Sequence, residues 1–158
     1  MLAGNPDTFA IWCDPVSSWS TARFKNGCFG YIIGGKLIWS TRSTLGVDLN
    51  ALSRFNCMSH AVDDDRLFSL PVRAAYVELF GRAFPSGESE AAINDFKHFV
   101  SVESLSDEGY NVFLVESMGE ARMIYGLNED ADTVNAVVLQ RGEFQAVVNE
   151  ILAKAKLI

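Results

Sequence analysis

The stretch CFGYIIGGKLIWS constrains this chain more than any other. Two runs rich in aromatic and branched residues, Cys28–Ile33 and Lys36–Ser40, are separated by Gly34-Gly35 alone. A two-residue connection matches the twist of its strands when its central residues take positive φ, which glycine does without strain. The spacing therefore predicts a β-hairpin and antiparallel pairing. Thr8–Cys13 reads as a strand in front of it, closed by Asp14-Pro15, and Asn26-Gly27 reads as a turn leading in. Farther along, Tyr110–Ser117 and Ala121–Tyr125 pair around Met118-Gly119-Glu120. Phe99, Val100 and Val102 start a strand before that pair, with Ser106–Gly109 as a turn. The acidic loop NEDAD (residues 128–132) and a strand over Val134–Gln140 follow it.

Helical spacing appears in two places. In PVRAAYVELFGRAF, Val72, Ala75, Tyr76, Leu79, Phe80 and Ala83 make one buried stripe, with Pro71 in the first turn. The ending GEFQAVVNEILAKAKLI gathers Phe144, Val147, Val148, Ile151, Leu152 and Ala155 on one face, and Glu150 and Lys154 form an i,i+4 pair on the other. Two shorter helices are expected, over 49–58 with Asp48 as N-cap and over Glu90–Phe96 with Ser89 as cap. Hairpins outnumber any strand–helix–strand crossover. The expected fold is α+β: a mainly antiparallel sheet with helices packed on it and an amphipathic C-terminal helix. At 158 residues and 49% hydrophobic content the chain suits one domain over 1–158, with Phe84–Ser89 as a loop.

Composition narrows the setting. The first residues lack the pattern of a signal peptide, and no apolar run approaches the roughly 20 residues that span a bilayer. Three cysteines without a CxxC pair suit reduced thiols, so a cytoplasmic protein is expected, with no membrane partner.

Candidate chemistry is sparse. In CMSHAVDDD, Cys57 and His60 stand three apart, with Asp63, Asp64 and Asp65 close behind. No second pair completes a zinc set, and consecutive aspartates cannot all converge. A nucleophilic pair of Cys57 with His60, or Cys13 with His98, would need an activated thiolate and an orienting third group. GCFGYIIGG has phosphate-loop glycines without the Gly-Lys-Ser/Thr ending, and it leads into a strand. The reading is no enzyme, no catalytic residue, no metal and no cofactor. A thiol- or metal-dependent enzyme around Cys57 and His60 stands as an alternative, behind a protein-binding adaptor module with some other partner.

The charge is informative. Residues 1–79 carry seven acidic and seven basic side chains, so the whole net charge of −7 lies in the second half. Residues 88–132 hold eleven acidic groups against Lys97 and Arg122. Direct nucleic-acid binding needs the opposite sign, whereas a negative face suits either solubility or a basic protein partner. Trp19, in the polar stretch PVSSWST, is the aromatic residue expected to be exposed, and an exposed Trp can anchor an interface.

The opening GNPDTFAIWCD, then VSSWS, then FKNGCFGYIIGGKL resembles immunity protein family 42 of bacterial polymorphic toxin systems. The residues that carry the likeness are Gly4, Asn5, Pro6, Phe9, Ala10, Ile11, Trp19, Ser20, Lys25, Asn26, Gly27 and Gly35. The ending LQRGEFQAVVNEIL is similar to that family's close. The resemblance implies a non-enzymatic antidote. Such proteins, including those beside contact-dependent growth inhibition toxins, bind a cognate toxin's C-terminal domain and occlude its active site. Many of these toxins are nucleases with basic clefts. Charge and expected exposure then single out Glu103, Asp107, Glu108, Glu129, Asp130, Asp132 and Trp19 as toxin-binding candidates.

Overall fold

The computed structural model describes residues 1–87 and 93–156. The strands β1 (Leu2–Asn5), β2 (Phe9–Pro15), β3 (Asn26–Ile33) and β4 (Lys36–Thr44) come first. Helices α1 (Leu45–Arg54), α2 (Asp65–Ser69), α3 (Val72–Ala83) and α4 (Glu103–Asp107) follow. Strands β5 (Tyr110–Ser117), β6 (Glu120–Leu127), β7 (Asp130–Gln140) and helix α5 (Glu143–Ala155) close the chain. The fold is α+β, and every pairing between these strands is antiparallel. The strands are shared between two sheets, β1-β2-β3-β4 and β5-β6-β7. The chain falls into two units. One comprises Met1–Arg54, Val102–Gly109 and the stretch from Gly142 on; the other comprises Phe55–Ser101 and Tyr110–Arg141.

In the first unit, period-two alternation sends Phe9, Ile11, Cys13, Phe29, Tyr31, Ile33 and Ile38 to one buried face. Helix α5 lies against β1 and β2 through Phe144, Val147, Val148 and Ile151. Phe144 stacks on Phe9 at 5.1 Å between centroids, and Phe9 meets Tyr31 edge-on at 5.4 Å. Burying each such side chain contributes about 1.5–3 kcal/mol. The expected Glu150–Lys154 pair is present at 2.6 Å, and it also holds β1: Glu150 accepts from the Gly4 N–H and Lys154 donates to the Leu2 carbonyl. Gly34 and Gly35 take φ of +57° and +81°, as the hairpin requires.

The opposite face of this sheet aligns Leu2, Trp12, Gly30 and Trp39 across four strands. A Cβ on Gly30 would come within 3.0 Å of Leu37 Cδ1 and of Trp39 Cβ, so its absence lets the flanking side chains close over the strand. Trp12 and Trp39 reach each other across it at 6.4 Å.

In the second unit, α3 buries Ala75, Tyr76, Leu79 and Ala83 against Phe113, Val115 and Ile124. Val72 and Phe80, expected in the same stripe, pack at its partly buried margin. The Tyr76 hydroxyl donates to the Asn128 carbonyl at 2.5 Å. Gly126 faces the Tyr76 ring, where a Cβ would approach to 2.9 Å. Arg122 donates to the carbonyls of Phe68 and Leu70 at 2.9 and 2.7 Å, closing the end of α2.

Several expectations are corrected. Asn26-Gly27 is the start of β3, not a turn; Gly27 is needed because the Asp14 carbonyl would sit 2.1 Å from a Cβ there. Residues 99–102 make only an isolated bridge, Phe99 to Phe113, because the chain enters α4 directly where a turn was expected. Strand β7 begins at Asp130, inside the expected acidic loop, since Asn128 at φ +50° makes a tighter turn than composition suggested. Asp48 lies within the first turn of α1 rather than capping it, as the helix begins at Leu45. Pro71 sits just before α3. Of the helix expected over Glu90–Phe96, residues 93–96 are not helical; its start and the Ser89 cap lie outside the described residues.

Candidate protein-binding surfaces

In the first unit, the five-residue α4 has its amphipathy compressed into one turn. Ser104 and Leu105 are buried, while Glu103 and Asp107 are exposed. Glu108, just beyond, is half-buried and tied down. It accepts from Ser40 Oγ at 3.0 Å and from Arg42 Nε and Nη2 at 3.2 and 3.1 Å. The Ser40 hydrogen bond and then the Arg42 guanidinium hold its carboxyl below the usual range. Beneath this helix lies Asp48, 1% exposed, accepting from Ser43 Oγ at 2.5 Å and from the Ser104 N–H at 3.2 Å. Sequence reasoning gave Asp48 a capping role and missed its burial. Its position three residues into a helix with Leu45 and Leu52, both buried, was the signal available.

Trp19 ends a 3-10 turn over Ser17–Trp19 and is 47% exposed. The turn is held by its neighbours. Asn26 Nδ2 donates to the Trp19 carbonyl at 2.8 Å, Ser20 Oγ donates to the Val16 carbonyl at 2.9 Å, and the Asn26 N–H donates to Ser20 Oγ at 3.1 Å. Thr21 closes the rest of the loop through hydrogen bonds with the backbone of Arg23 and Phe24. Phe24 is also exposed, with the Arg23 guanidinium 5.3 Å from its ring centre. Sequence reasoning missed Phe24 as an exposed aromatic, although its place between Arg23 and Lys25 was a clue.

In the second unit, Glu129, Asp130 and Asp132 are exposed at the β6–β7 hairpin. Asp130 Oδ1 accepts from the Asp132 N–H at 2.9 Å, and Asp132 pairs with Arg73 at 2.5 Å. The six acidic candidates thus divide into two triplets, one per unit. Within each triplet one carboxylate is already engaged by an arginine, Glu108 by Arg42 and Asp132 by Arg73. Glu103, Asp107, Glu129 and Asp130 are in no ion pair among the described residues.

The cluster CMSHAVDDD comes apart as a catalytic or metal set. Cys57 is buried, and burial, then the nearby Glu116 charge, pushes its thiol up to about 12. His60 is exposed, its Nδ1 2.9 Å from Ser59 Oγ. Asp63 receives the Arg141 guanidinium through two bonds of 2.6 and 2.7 Å. Asp64 caps α2 by accepting from the Leu67 N–H at 2.9 Å, and Asp65 accepts from Ser117 Oγ at 2.7 Å. Each aspartate has a separate structural partner. Cys13 lies buried in β2, where burial raises its thiol, and His98 belongs to the other unit with Nδ1 2.8 Å from the Leu114 carbonyl. No group of three His, Cys, Asp or Glu among the described residues could hold a metal ion. No helix among them is long and apolar enough to cross a membrane.

The family model for Immunity protein 42 matches residues 1–154. The chain is also similar to the crystal structure of CdiI from Burkholderia dolosa, a contact-dependent growth inhibition immunity protein. The two are 60% identical with a TM-score of 0.94, over 98% of this chain and 99% of that one. No curated protein matches. A match through both units, from β1 to the last turn of α5, makes this chain a member of the Immunity protein 42 family.

Proposed function

We propose that the chain is a non-enzymatic inhibitor, acting in the cytoplasm, that binds the C-terminal domain of a contact-dependent growth inhibition toxin and occludes its active site. Residues 1–158 act as one immunity domain, a reading supported by a family model that runs through both units without a break. The toxin is a nuclease with a basic cleft, and the immunity protein meets it with carboxylates in place of phosphates. The observation that carries this is the set of exposed carboxylates in no ion pair among the described residues, Glu103, Asp107, Glu129 and Asp130, on a chain whose net charge is −7. Glu108 and Asp132 extend the two acidic patches, and Trp19 supplies an apolar anchor on a pinned turn. Complementary charge of this kind raises the encounter rate and disfavours wrong partners.

Co-expression with the toxin domain encoded immediately upstream tests the reading. Growth is expected to be restored, with a one-to-one complex on a sizing column. Reversing Glu103, Asp107, Glu108, Glu129 and Asp130 together is expected to weaken binding and flatten its salt dependence. A partner other than a toxin would leave the cells unprotected, and unchanged affinity in the combined variant would remove the acidic mechanism.

A further inference from the structure

The first unit of this acidic chain carries a hollow that no Asp or Glu lines among the described residues. It measures about 470 Å³ and lies beside the start of α1, with Arg23, Phe24, Lys25, Leu45, Val47 and Leu49 among its walls. Leu45 and Leu49 follow one another at i,i+4, which gives α1 a continuous apolar strip there. Val47 and Phe24 line the same hollow while 42% and 47% exposed. Apolar surface held open in a concave site marks a place that an incoming apolar group covers, and the volume falls among sites of roughly 300–1,000 Å³ that enclose a ligand. The aromatic wall is fixed in advance. The Arg23 and Phe24 N–H groups donate to Thr21 Oγ1 at 3.3 and 3.0 Å, and the Thr21 N–H donates to the Phe24 carbonyl at 2.9 Å. The Lys25 carbonyl accepts from the Leu45 N–H at 2.9 Å, tying this loop to α1. Arg42, Arg66, Arg73, Arg82 and Arg141 each hold a carboxylate of the chain. Arg23 is exposed, is in no ion pair among the described residues, and has its guanidinium 5.3 Å from the Phe24 ring centre. A guanidinium so placed offers its fork to a carboxylate from outside.

We infer that this hollow receives a segment of the toxin in which a large apolar side chain stands next to an aspartate or glutamate. The apolar group enters between Phe24 and the α1 strip, and the carboxylate meets Arg23. The inference rests on the reading of the chain as a toxin-binding protein, and it adds to the acidic patches a contact of opposite polarity. Charge complementarity selects the occupant. A basic segment, which suits Glu103 or Glu129, would here face Arg23 and Lys25 with no lining carboxylate to offset them. Two contacts of opposite sign on one partner also fix its orientation, since a misplaced toxin would set like charges against each other.

Calorimetric titration of the full chain with the upstream toxin domain tests this, using wild type, Arg23→Glu and Val47→Glu. Both side chains are exposed, so both variants are expected to melt as the wild type does. Arg23→Glu is decisive because it makes the chain more acidic. Attraction of a basic toxin through the overall field would then tighten binding, whereas the contact inferred here requires weaker binding. A rise in Kd of roughly tenfold or more is expected for each variant. Photo-crosslinking from benzoylphenylalanine at position 24 is expected to capture a toxin peptide that contains Asp or Glu. Unchanged or tighter binding by Arg23→Glu would overturn the inference while leaving the toxin reading intact, as would capture of a peptide without an acidic residue. Decanoate that still saturates the hollow in the toxin complex would give it to a small anionic amphiphile and overturn the inference too. Failure of the wild type to bind the toxin would refute the toxin reading and the proposed occupant with it. Should Val47→Glu melt low, Arg23→Glu and the cross-link decide.

Discussion

Replacing Arg141 by alanine should cost far more stability than its exposed position suggests. Its guanidinium serves three acceptors within the second unit: Asp63 through two bonds of 2.6 and 2.7 Å, the Met118 carbonyl at 3.1 Å, and Glu116 Oε2 at 3.1 Å. The Asp63 bond is an exposed, solvent-screened ion pair and contributes little. Glu116 is different, because it is 3% exposed and also accepts from the Val62 N–H at 3.2 Å. Removing one partner of a buried pair leaves the other charge uncompensated, which costs about 3–5 kcal/mol. The partly open arginine is screened by water, so stranding buried Glu116 through Arg141→Ala is expected to cost about 2–4 kcal/mol, whereas Asp63→Ala is expected to change stability far less. Urea denaturation at neutral pH measures both. Adding Glu116→Gln to Arg141→Ala should recover part of the deficit, since the buried charge is then gone. Equal small losses in the two single variants, or no recovery in the double, would show that the Glu116 contact is not what Arg141 provides.

Further outcomes follow from individual contacts. Gly126→Ala should destabilise the chain by about 1–3 kcal/mol in thermal melts, because the new Cβ meets the Tyr76 ring at 2.9 Å. Phe144→Ala should cost about 3–5 kcal/mol by the same measurement, since the ring is fully buried against Phe9. Glu78, held down to about 2 by its bonds with Arg66 and then Arg82, has a folded pKa below its unfolded value; its contribution is present above the ordinary glutamate range and fades as pH falls toward 2. Glu78→Gln should therefore lower stability by no more than about 1 kcal/mol at pH 7 and shrink the acid-side decline. Cys57, with its thiol pushed up to about 12, should resist iodoacetamide at pH 8 while half-buried Cys28 is alkylated, as peptide mass spectrometry would record.

What the sequence made legible was periodicity and punctuation. The Gly34-Gly35 hairpin, the Ala75–Ala83 stripe and the face of α5 could be read because each element repeats its own rule several times. Short elements repeat nothing. Helices α2 and α4 span five residues each, and their existence depends on Asp64 capping Leu67 and on Leu105 finding a buried place. Strand β1 has four residues, and its pairing is reinforced by Glu150 and Lys154 reaching from α5. The division into two sheets was hidden for a related reason. Pairing partners are set by which faces find cover, and periodicity shows that a face is apolar without showing what covers it.

The same distinction explains why the family was legible while the contact surface was not. Several of the residues that carry the resemblance have backbone duties. Gly4 sits at φ +86° with the Phe9 carbonyl 2.4 Å from where a Cβ would stand; the Asn5 side chain accepts from the Asp7 N–H; the Pro6 carbonyl accepts from the Gly35 N–H. Ser20 and Asn26 hold the turn that presents Trp19, and Gly27 lets β2 and β3 approach. Each is fixed by geometry that few other residues satisfy, so these positions form a recognisable pattern whatever the protein binds. Glu103, Asp107, Glu129 and Asp130 answer to no such constraint, because an exposed carboxylate can be exchanged at little cost to the fold. Asp48 lies between these cases: it is buried in the first turn of α1 and accepts from Ser43 Oγ and from the Ser104 N–H at the start of α4, so its place is fixed by contacts far apart in sequence that leave no repeating pattern.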